Sequence, residues 1–343
     1  MKIGVLTGGG DCQGLNAAIR AVVRRADSYG WDVMGIRNGW AGLLGEGDLE
    51  PLLPRDVAGI LPLGGTILGT SRTNPAKNAE HMQQVISNLR KNGLDALVAI
   101  GGDDTLGVAS KLYDEGYPTV GVPKTMDNDL SETDFTIGFN SAATIATDAI
   151  DKLHTTAASH RRVIVVEVMG RDAGWVAVVA GMAGGADYII VPEVPTRIED
   201  VCEHLRRRRD AGSHSGIVVV SEAATVTDFD VKGDEQTRDA FGHVQLGSRN
   251  FGEVVAREIE RRTGIETRSV VLGHLQRGGA PTVFDRVLGT RMGSAAVDYV
   301  KEGKFGYMPA LQGTKIVPVK IKDAVGRTKT IDLDLYEVAK DLF

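Results

Sequence analysis

Apolar residues in this chain come in short continuous runs, several of them closed by a glycine turn and followed by a segment with helical spacing. Ile3 to Leu6 is one such run, closed by Gly8-Gly9-Gly10. After it, Leu15, Ala18, Ile19, Val22, Val23 and Ala26 recur on one helix face, with Arg20, Arg24 and Asp27 on the other. Ala96 to Ile100 is apolar throughout, the pattern of a strand buried on both sides of a parallel sheet. It ends in Gly101-Gly102 and leads into a predicted helix over Thr105 to Asp114. A strand over Thr119 to Val122 then meets a polar knot, PKTMDND.

The second half repeats the rhythm. Strands are predicted in RVIVVEVMG, Tyr188–Val191, Ile217–Val220, Arg268–Leu272 and Lys315–Ile321. Helices are predicted over Trp175–Ala183, Ile198–Asp210, Gly252–Arg262 and Phe284–Lys301. The charged stretch 223–246 has no clear period and reads as a surface loop or hairpin insertion. Alternating strands and helices define an α/β class with open parallel sheets, whose ligands bind beyond the carboxyl ends of the strands.

At 343 residues the chain suits two lobes. No Pro/Gly/Ser linker divides them, so the chain is expected to cross between lobes more than once. The expected bounds are 1–138 plus 276–326 for one lobe and 139–275 plus 327–343 for the other.

Glycine is abundant, 43 residues, without a repeat period or matching proline. That points to tight turns at strand ends rather than to linkers or collagen. The net charge of −6 argues against nucleic-acid binding through a basic surface. It leaves room for small anions in a local basic pocket. Two cysteines, Cys12 and Cys202, are too few for a disulfide scaffold or zinc ribbon. The N-terminus reads as strand and turn rather than signal peptide, and the apolar stretch from Trp175 is too short to span a bilayer. The expectation is a cytoplasmic protein without a membrane partner.

Several strand ends carry chemistry. TGGGD, Thr7 to Asp11, offers backbone N–H groups and a helix N-terminus to a phosphate, or is simply a structural turn. GGDDT places Asp103 and Asp104 at one strand end, where a cation or an anionic ligand is the expected partner. PKTMDND gathers Lys124, Thr125, Asp127, Asn128 and Asp129, which suit a base, a metal ligand and phosphate neutralisation. Arg72, Arg162, Arg171, Arg268 and Arg277 recur beside glycine-rich turns, as expected for several phosphates. Arg206 to Arg209 lies mid-helix and reads as a solvated face.

Taken in order, TGGGD, GGTILGTSR, GGDDT, PKTMDND, HRRVIVVEVMGRDAGW, SEAA and GHLQRGG resemble the phosphofructokinase family over nearly the whole chain. A lone GGDDT-like motif occurs in other kinases, but the ordered set does not. The resemblance implies two similar open-sheet, Rossmann-like lobes with the active site in the cleft between them. It implies Mg2+-dependent phosphoryl transfer to the 1-hydroxyl of fructose 6-phosphate. Asp127 is then the base, Asp103 the magnesium ligand and Asp129 a charge partner nearby. Gly10 and Arg72 bind the donor. Thr125, Met126, Asp127, Met169, Gly170, Arg171, Glu222, His274 and Arg277 surround the sugar phosphate. Arg162 and Arg268 match arginines supplied by a neighbouring subunit, so a homo-oligomer is expected, at least a dimer, with a tetramer suggested.

The family divides by donor, and the resemblance makes Asp104 and Lys124 the informative positions. Members that use ATP commonly carry glycine at both, whereas those that use pyrophosphate carry Asp and Lys, as here. A carboxylate beside the α-phosphate of ATP repels it by about 4 kcal/mol at ~4 Å and an effective dielectric of ~20, roughly several hundred-fold. Pyrophosphate ends before that point. Reversible transfer from pyrophosphate, in glycolysis and gluconeogenesis, is therefore expected. The alternatives are an ATP-dependent enzyme and, from another class, a non-catalytic regulatory subunit of the same fold. Leu63 and His154 stand where allosteric members place effector-binding arginines, so little regulation by ADP or phosphoenolpyruvate is expected.

Overall fold

The computed structural model describes residues 1–229, 250–341 and 343. The first lobe is built on β1 (Lys2–Thr7), β2 (Asp32–Ile36), β3 (Leu49–Pro51), β4 (Ala96–Gly101), β5 (Thr119–Thr125) and β6 (Ile137–Gly138). Their order across the sheet is β3-β2-β1-β4-β5-β6, parallel except for the β2–β3 pair. Three helices connect these strands: α1 (Leu15–Asp27), α2 (Ala79–Lys91) and α3 (Asp103–Asp114). The apolar face of α1 read from the sequence is the buried face, and β4 is buried along its whole length.

A 22-residue helix, α4 (Phe139–His160), opens the second lobe. It leads to β7 (Val163–Val168), α5 (Trp175–Ala183), β8 (Tyr188–Ile190), α6 (Ile198–Asp210) and β9 (Gly216–Ser221). Then come α7 (Phe251–Thr263) and β10 (Thr267–Val271). These four strands form a parallel sheet in the order β10-β7-β9-β8. The chain then returns. Helix α8 (Val283–Lys301) packs on α1, and the antiparallel hairpin β11 (Tyr307–Gln312) and β12 (Lys315–Lys320) lies against β5 and α8. After the short α9 (Ile321–Ala324) beside α3, the chain crosses again to α10 (Leu333–Lys340) on α5 and β8.

The junction near residue 138 is tied by Asp285 of α8. Its buried carboxylate accepts the Gly138 and Ser141 N–H groups at 3.0 and 2.8 Å, plus the Ser141 hydroxyl at 2.6 Å. It satisfies orphan donors at the start of α4, where an acid also complements the helix dipole.

One local expectation is revised. Arg206 and Arg208 are not simply solvated. Arg206 pairs with Glu199 at 2.8 Å, and Arg208 with Asp187 at 2.5 Å. Of the expected insertion over 223–246, residues from 230 onward lie outside the described ones. Its near end is held by Asp228, which accepts the Ile198 and Glu199 N–H groups and pairs with Arg262.

Candidate active site

Each sheet reverses its strand order at one place, and each reversal carries a motif pair. In the first lobe the chain winds outward in both directions from between β1 and β4. Gly8–Gly10 follow β1, and Asp103 and Asp104 follow β4. In the second lobe the reversal lies between β7 and β9, followed by Gly170-Arg171 and by Glu222. Crevices outside the carboxyl ends of strands at such points are the natural ligand sites of open α/β sheets.

The glycine turn of lobe 1 is held on several sides. A Cβ on Gly8 would lie 2.5 Å from the Thr105 hydroxyl, and one on Gly10 would lie 2.5 Å from the Arg277 guanidinium. Arg277 itself donates to the Asp11 carbonyl at 2.9 Å. From the loop that carries Arg72, Thr70 donates to the Gly9 carbonyl at 2.6 Å, and the Gly9 N–H donates to the Ser71 carbonyl. Arg72 is exposed at the rim of this loop.

Lys124 belongs to β5 and is almost wholly buried. Its ammonium donates to the Gly8 carbonyl at 3.1 Å and the Gly10 carbonyl at 2.5 Å. Burial lowers its pKa below the ordinary lysine value. It therefore supports the glycine turn from beneath.

After β5 the chain bends so that Thr125 accepts the Asp127 N–H at 3.1 Å and donates to Asp127 Oδ2 at 3.2 Å. Asp127 Oδ1 is buried without a protein partner, as expected of an acceptor that awaits a substrate proton. Asn128, at a left-handed φ of 54°, closes the turn by accepting the Thr136 N–H and donating to the Asp134 carbonyl. Asp129 is buried, and burial together with the charge of Asp127 raises its pKa. Met126 is buried in the core that also holds Phe139 and Ala142.

From lobe 2, Arg171 adopts a left-handed φ of 52°, costly for a residue with a side chain. Glu222 Oε1 offsets that cost by accepting the Gly170 and Arg171 N–H groups at 3.3 and 3.1 Å. Burial and the nearby Asp127 charge push Glu222 up to about 7. Burial opposes the charge on Arg171, but Asp104, Asp129 and Asp127 more than offset it and hold its pKa above the ordinary arginine value. Arg171 reaches across the cleft to Asp104 at 3.4 Å. Carboxylates of lobe 1 and the guanidinium of lobe 2 thus form one electrostatic unit. Met169 is half-buried against the lobe 2 core.

Asp103 accepts the Gly326 N–H at 2.7 Å, which fixes its carboxylate at the first turn of α3. Among the described residues no three His, Cys, Asp or Glu side chains converge to hold a metal ion. Magnesium is typically held by one or two carboxylates plus substrate phosphates and water. The carboxylate of Asp103, fixed at the first turn of α3 with Asp104 next to it in the chain, fits that substrate-completed mode.

Two of the sequence-predicted residues are not brought into this cleft by their own chain. Arg162 precedes β7, and Arg268 pairs with Ile164 at the same end of the sheet. Both bind Glu266, at 3.2 and 2.9 Å. Strand β7 separates them from Arg171 by roughly 17–20 Å, six residues at ~3.3 Å each. His274 lies exposed in a 3-10 turn, Gly273–Arg277, beyond the other end of β10.

The sequence reading missed the stretch 326–331. Its N–H groups serve Asp103 and Asp129, and Lys329 donates from its side chain to the Thr133 and Asp134 carbonyls. Only Gly326 offered a sequence signal for a turn there, and nothing signalled its partners.

A two-lobed α/β protein with glycine turns and carboxylates facing an arginine across a cleft defines the class. The phosphofructokinase family profile matches residues 2–300, and this chain belongs to that family. It is 56% identical over 98% of both chains to a pyrophosphate--fructose 6-phosphate 1-phosphotransferase from Streptomyces coelicolor. It is 52% identical to one from Dictyoglomus thermophilum, over 100% of this chain and 99% of that one. An ATP-dependent 6-phosphofructokinase from Corynebacterium efficiens is 48% identical, over 100% of this chain and 99% of that one. Among solved structures, a phosphofructokinase chain from Pichia pastoris superposes with a TM-score of 0.83 at 34% identity. That match takes in 99% of this chain, which spans 36% of that longer one.

Proposed function

We propose that this chain catalyses reversible, Mg2+-dependent phosphoryl transfer from pyrophosphate to O1 of fructose 6-phosphate, giving fructose 1,6-bisphosphate and phosphate. The observation that carries the choice of donor is Asp104. It stands beside Asp103 at the first turn of α3, and its charge faces the cleft against Arg171. The relatives that share 52–56% identity and are named for pyrophosphate support the same reading.

Phosphoryl transfer asks the protein mainly for positioning and charge neutralisation. Asp127 accepts the proton of the sugar hydroxyl through its buried, unpartnered oxygen. Arg171 and Arg277 neutralise phosphate charge, and the Gly10 N–H, beyond the engaged N–H groups of Gly8 and Gly9, offers a backbone donor to the departing phosphate. Asp103, together with oxygens of the donor, would hold magnesium, which would supply charge neutralisation on the pyrophosphate. Glu222 keeps the Gly170-Arg171 turn in its strained form. Arg162 and Arg268 complete the site from a neighbouring copy, which makes an oligomer necessary. Little response to ADP or phosphoenolpyruvate follows from Leu63 and His154. His154 is engaged internally with the Gly184 carbonyl at 2.6 Å.

The direct test supplies the purified chain with fructose 6-phosphate and magnesium, and with either pyrophosphate or ATP. Product formation with pyrophosphate and at least about a hundredfold lower kcat/KM with ATP is expected. Preference for ATP overturns the donor assignment, and no turnover with either donor supports a regulatory subunit instead.

A further inference from the structure

The stretch from Gly326 to Ile331 links α9, which packs on lobe 1, to α10, which packs on lobe 2. Along this crossing its polar groups meet successive parts of the site. The Gly326 N–H donates to Asp103. Thr328 forms a bridge with Leu130, beside the Asp127–Asp129 turn. The Lys329 N–H donates to the Asp129 carbonyl at 2.7 Å. The Lys329 carbonyl accepts the indole N–H of Trp175 at 2.9 Å, and its ammonium lies 4.9 Å from that ring's centroid. The Ile331 N–H donates to Glu193 Oε1, which also accepts the Gly174 N–H, just beyond the Arg171 turn.

Lys329 is the centre of this arrangement. Its half-buried ammonium donates to the carbonyls of Thr133 at 2.8 Å and Asp134 at 2.7 Å. Those carbonyls lie on the return arm of the turn that carries Asp127 and Asp129. Asn128 holds that arm from inside through Asp134 and Thr136, and Lys329 holds it from outside. Without the ammonium, two carbonyls lose a charge-assisted donor and the outer brace of the turn is gone. The backbone bond to Asp129, the inner hold of Asn128 and the bonds that tie Thr133 and Asp134 to the end of β11 remain, but none of them replaces the cation at those two carbonyls.

We propose that Lys329 is a positioning residue for phosphoryl transfer, bracing the Asp127–Asp129 turn in lobe 1 against Trp175 in lobe 2. It touches no reacting atom and acts through the turn. The inference rests on the phosphoryl-transfer reading above. The groups it braces meet the reacting hydroxyl, whereas the arginines meet the sugar's phosphate. Its loss therefore acts on turnover more than on substrate affinity.

The test compares Lys329→Met with Lys329→Arg in steady-state kinetics, varying pyrophosphate and fructose 6-phosphate in turn, and records Tm for each. The Met variant is expected to lose about tenfold or more in kcat, with each KM within about threefold of the unmodified chain. The Arg variant, which keeps charge and donors, is expected to recover most of that loss. If the Met variant does not fold, Lys329→Gln takes its place in the same comparison. Unchanged kcat in the neutral variant, a loss confined to KM, or no recovery with arginine overturns the proposal. If the unmodified chain prefers ATP, the donor reading fails while Lys329 is judged by the same kcat ratio with ATP.

Discussion

Asp104 of lobe 1 and Arg171 of lobe 2 meet across the cleft at 3.4 Å, each side chain about a quarter exposed. The acid that follows β4 therefore does two things. It places negative charge beside the proposed donor site, and it anchors the guanidinium of the Gly170-Arg171 turn. Both lobes feel a change at this one position.

Asp104→Gly is accordingly expected to shift donor preference and weaken sugar-phosphate binding together. The kcat/KM ratio of ATP to pyrophosphate should rise by up to roughly several hundred-fold, the order set by one like charge at ~4 Å and an effective dielectric of ~20. The KM for fructose 6-phosphate should rise as Arg171 loses its anchor. Asp104→Asn separates charge from bulk, because it keeps the size and removes only the charge. Coupled assays with each donor give both ratios, and an unmoved ATP activity in both variants defeats the like-charge argument.

Lys124 is expected to matter for stability as well as for donor choice. Its ammonium is buried under the glycine turn and bonded to the Gly8 and Gly10 carbonyls. Lys124→Met leaves those acceptors without this donor, a loss of about 1–3 kcal/mol for a buried polar group. Calorimetry should show a lower Tm with substrates absent. Asp104→Gly combined with Lys124→Gly should then favour ATP further, at a lower Tm than Asp104→Gly alone.

Much of this site was legible in the chain, and the exceptions have physical reasons. Apolar runs marked β1, β4, β7 and β9, the first three of them closed by glycine, because strands buried on both faces need no polar alternation. Helix α4 escaped notice, because its small and polar residues, NSAATIATDAIDKLHTTAASH, blur the apolar stripe. The PKT of PKTMDND was read as loop, yet it completes β5, since the lysine finds its partners in carbonyls. The stretch 326–331 was invisible because its N–H groups carry much of its work, and those carry no side-chain signature. Arg162 and Arg268 were read beside glycine turns, but strand direction sends them to the opposite end of the sheet.

Glu222 gives a pH signature in stability. Burial, with the Asp127 charge, raises its folded pKa to about 7 from an ordinary 4.5. The folded state therefore binds more protons than the unfolded state between those values. Its contribution is fully present below about 4.5 and is lost as pH rises through about 7. Glu222→Gln removes the titration while keeping an oxygen acceptor for the Gly170 and Arg171 N–H groups. The difference in Tm between variant and unmodified chain should move in the variant's favour from pH 4.5 to pH 7. A constant difference across that window contradicts the assignment.

Asp127→Ser removes the proposed base and keeps a small polar group in its place. Turnover should fall by about three orders of magnitude or more, within the usual range for a general base. Fructose 6-phosphate should still bind, because the contacts proposed for its phosphate come from arginines rather than from Asp127. Calorimetric titration with the sugar phosphate separates the two effects. Near-normal turnover in this variant removes Asp127 from the mechanism.

Arg162 and Arg268 allow a test of site sharing that no single-chain experiment provides. Within one chain they sit with Glu266 at the far end of β7, so a contribution to the cleft has to come from a second copy. Arg268→Ala and Asp127→Ser should each be nearly inactive alone. Mixed by co-expression, they form hybrids in which one site carries both changes and another carries neither. Random pairing into two-site dimers makes half of them hybrids, each with one intact site, so activity should recover to about a quarter of the unmodified level. Subunits tagged differently allow the hybrid to be isolated, where about half of the unmodified activity is expected per dimer. If the mixture is no more active than the two variants assayed apart, Arg268 does not act in a neighbouring subunit's site.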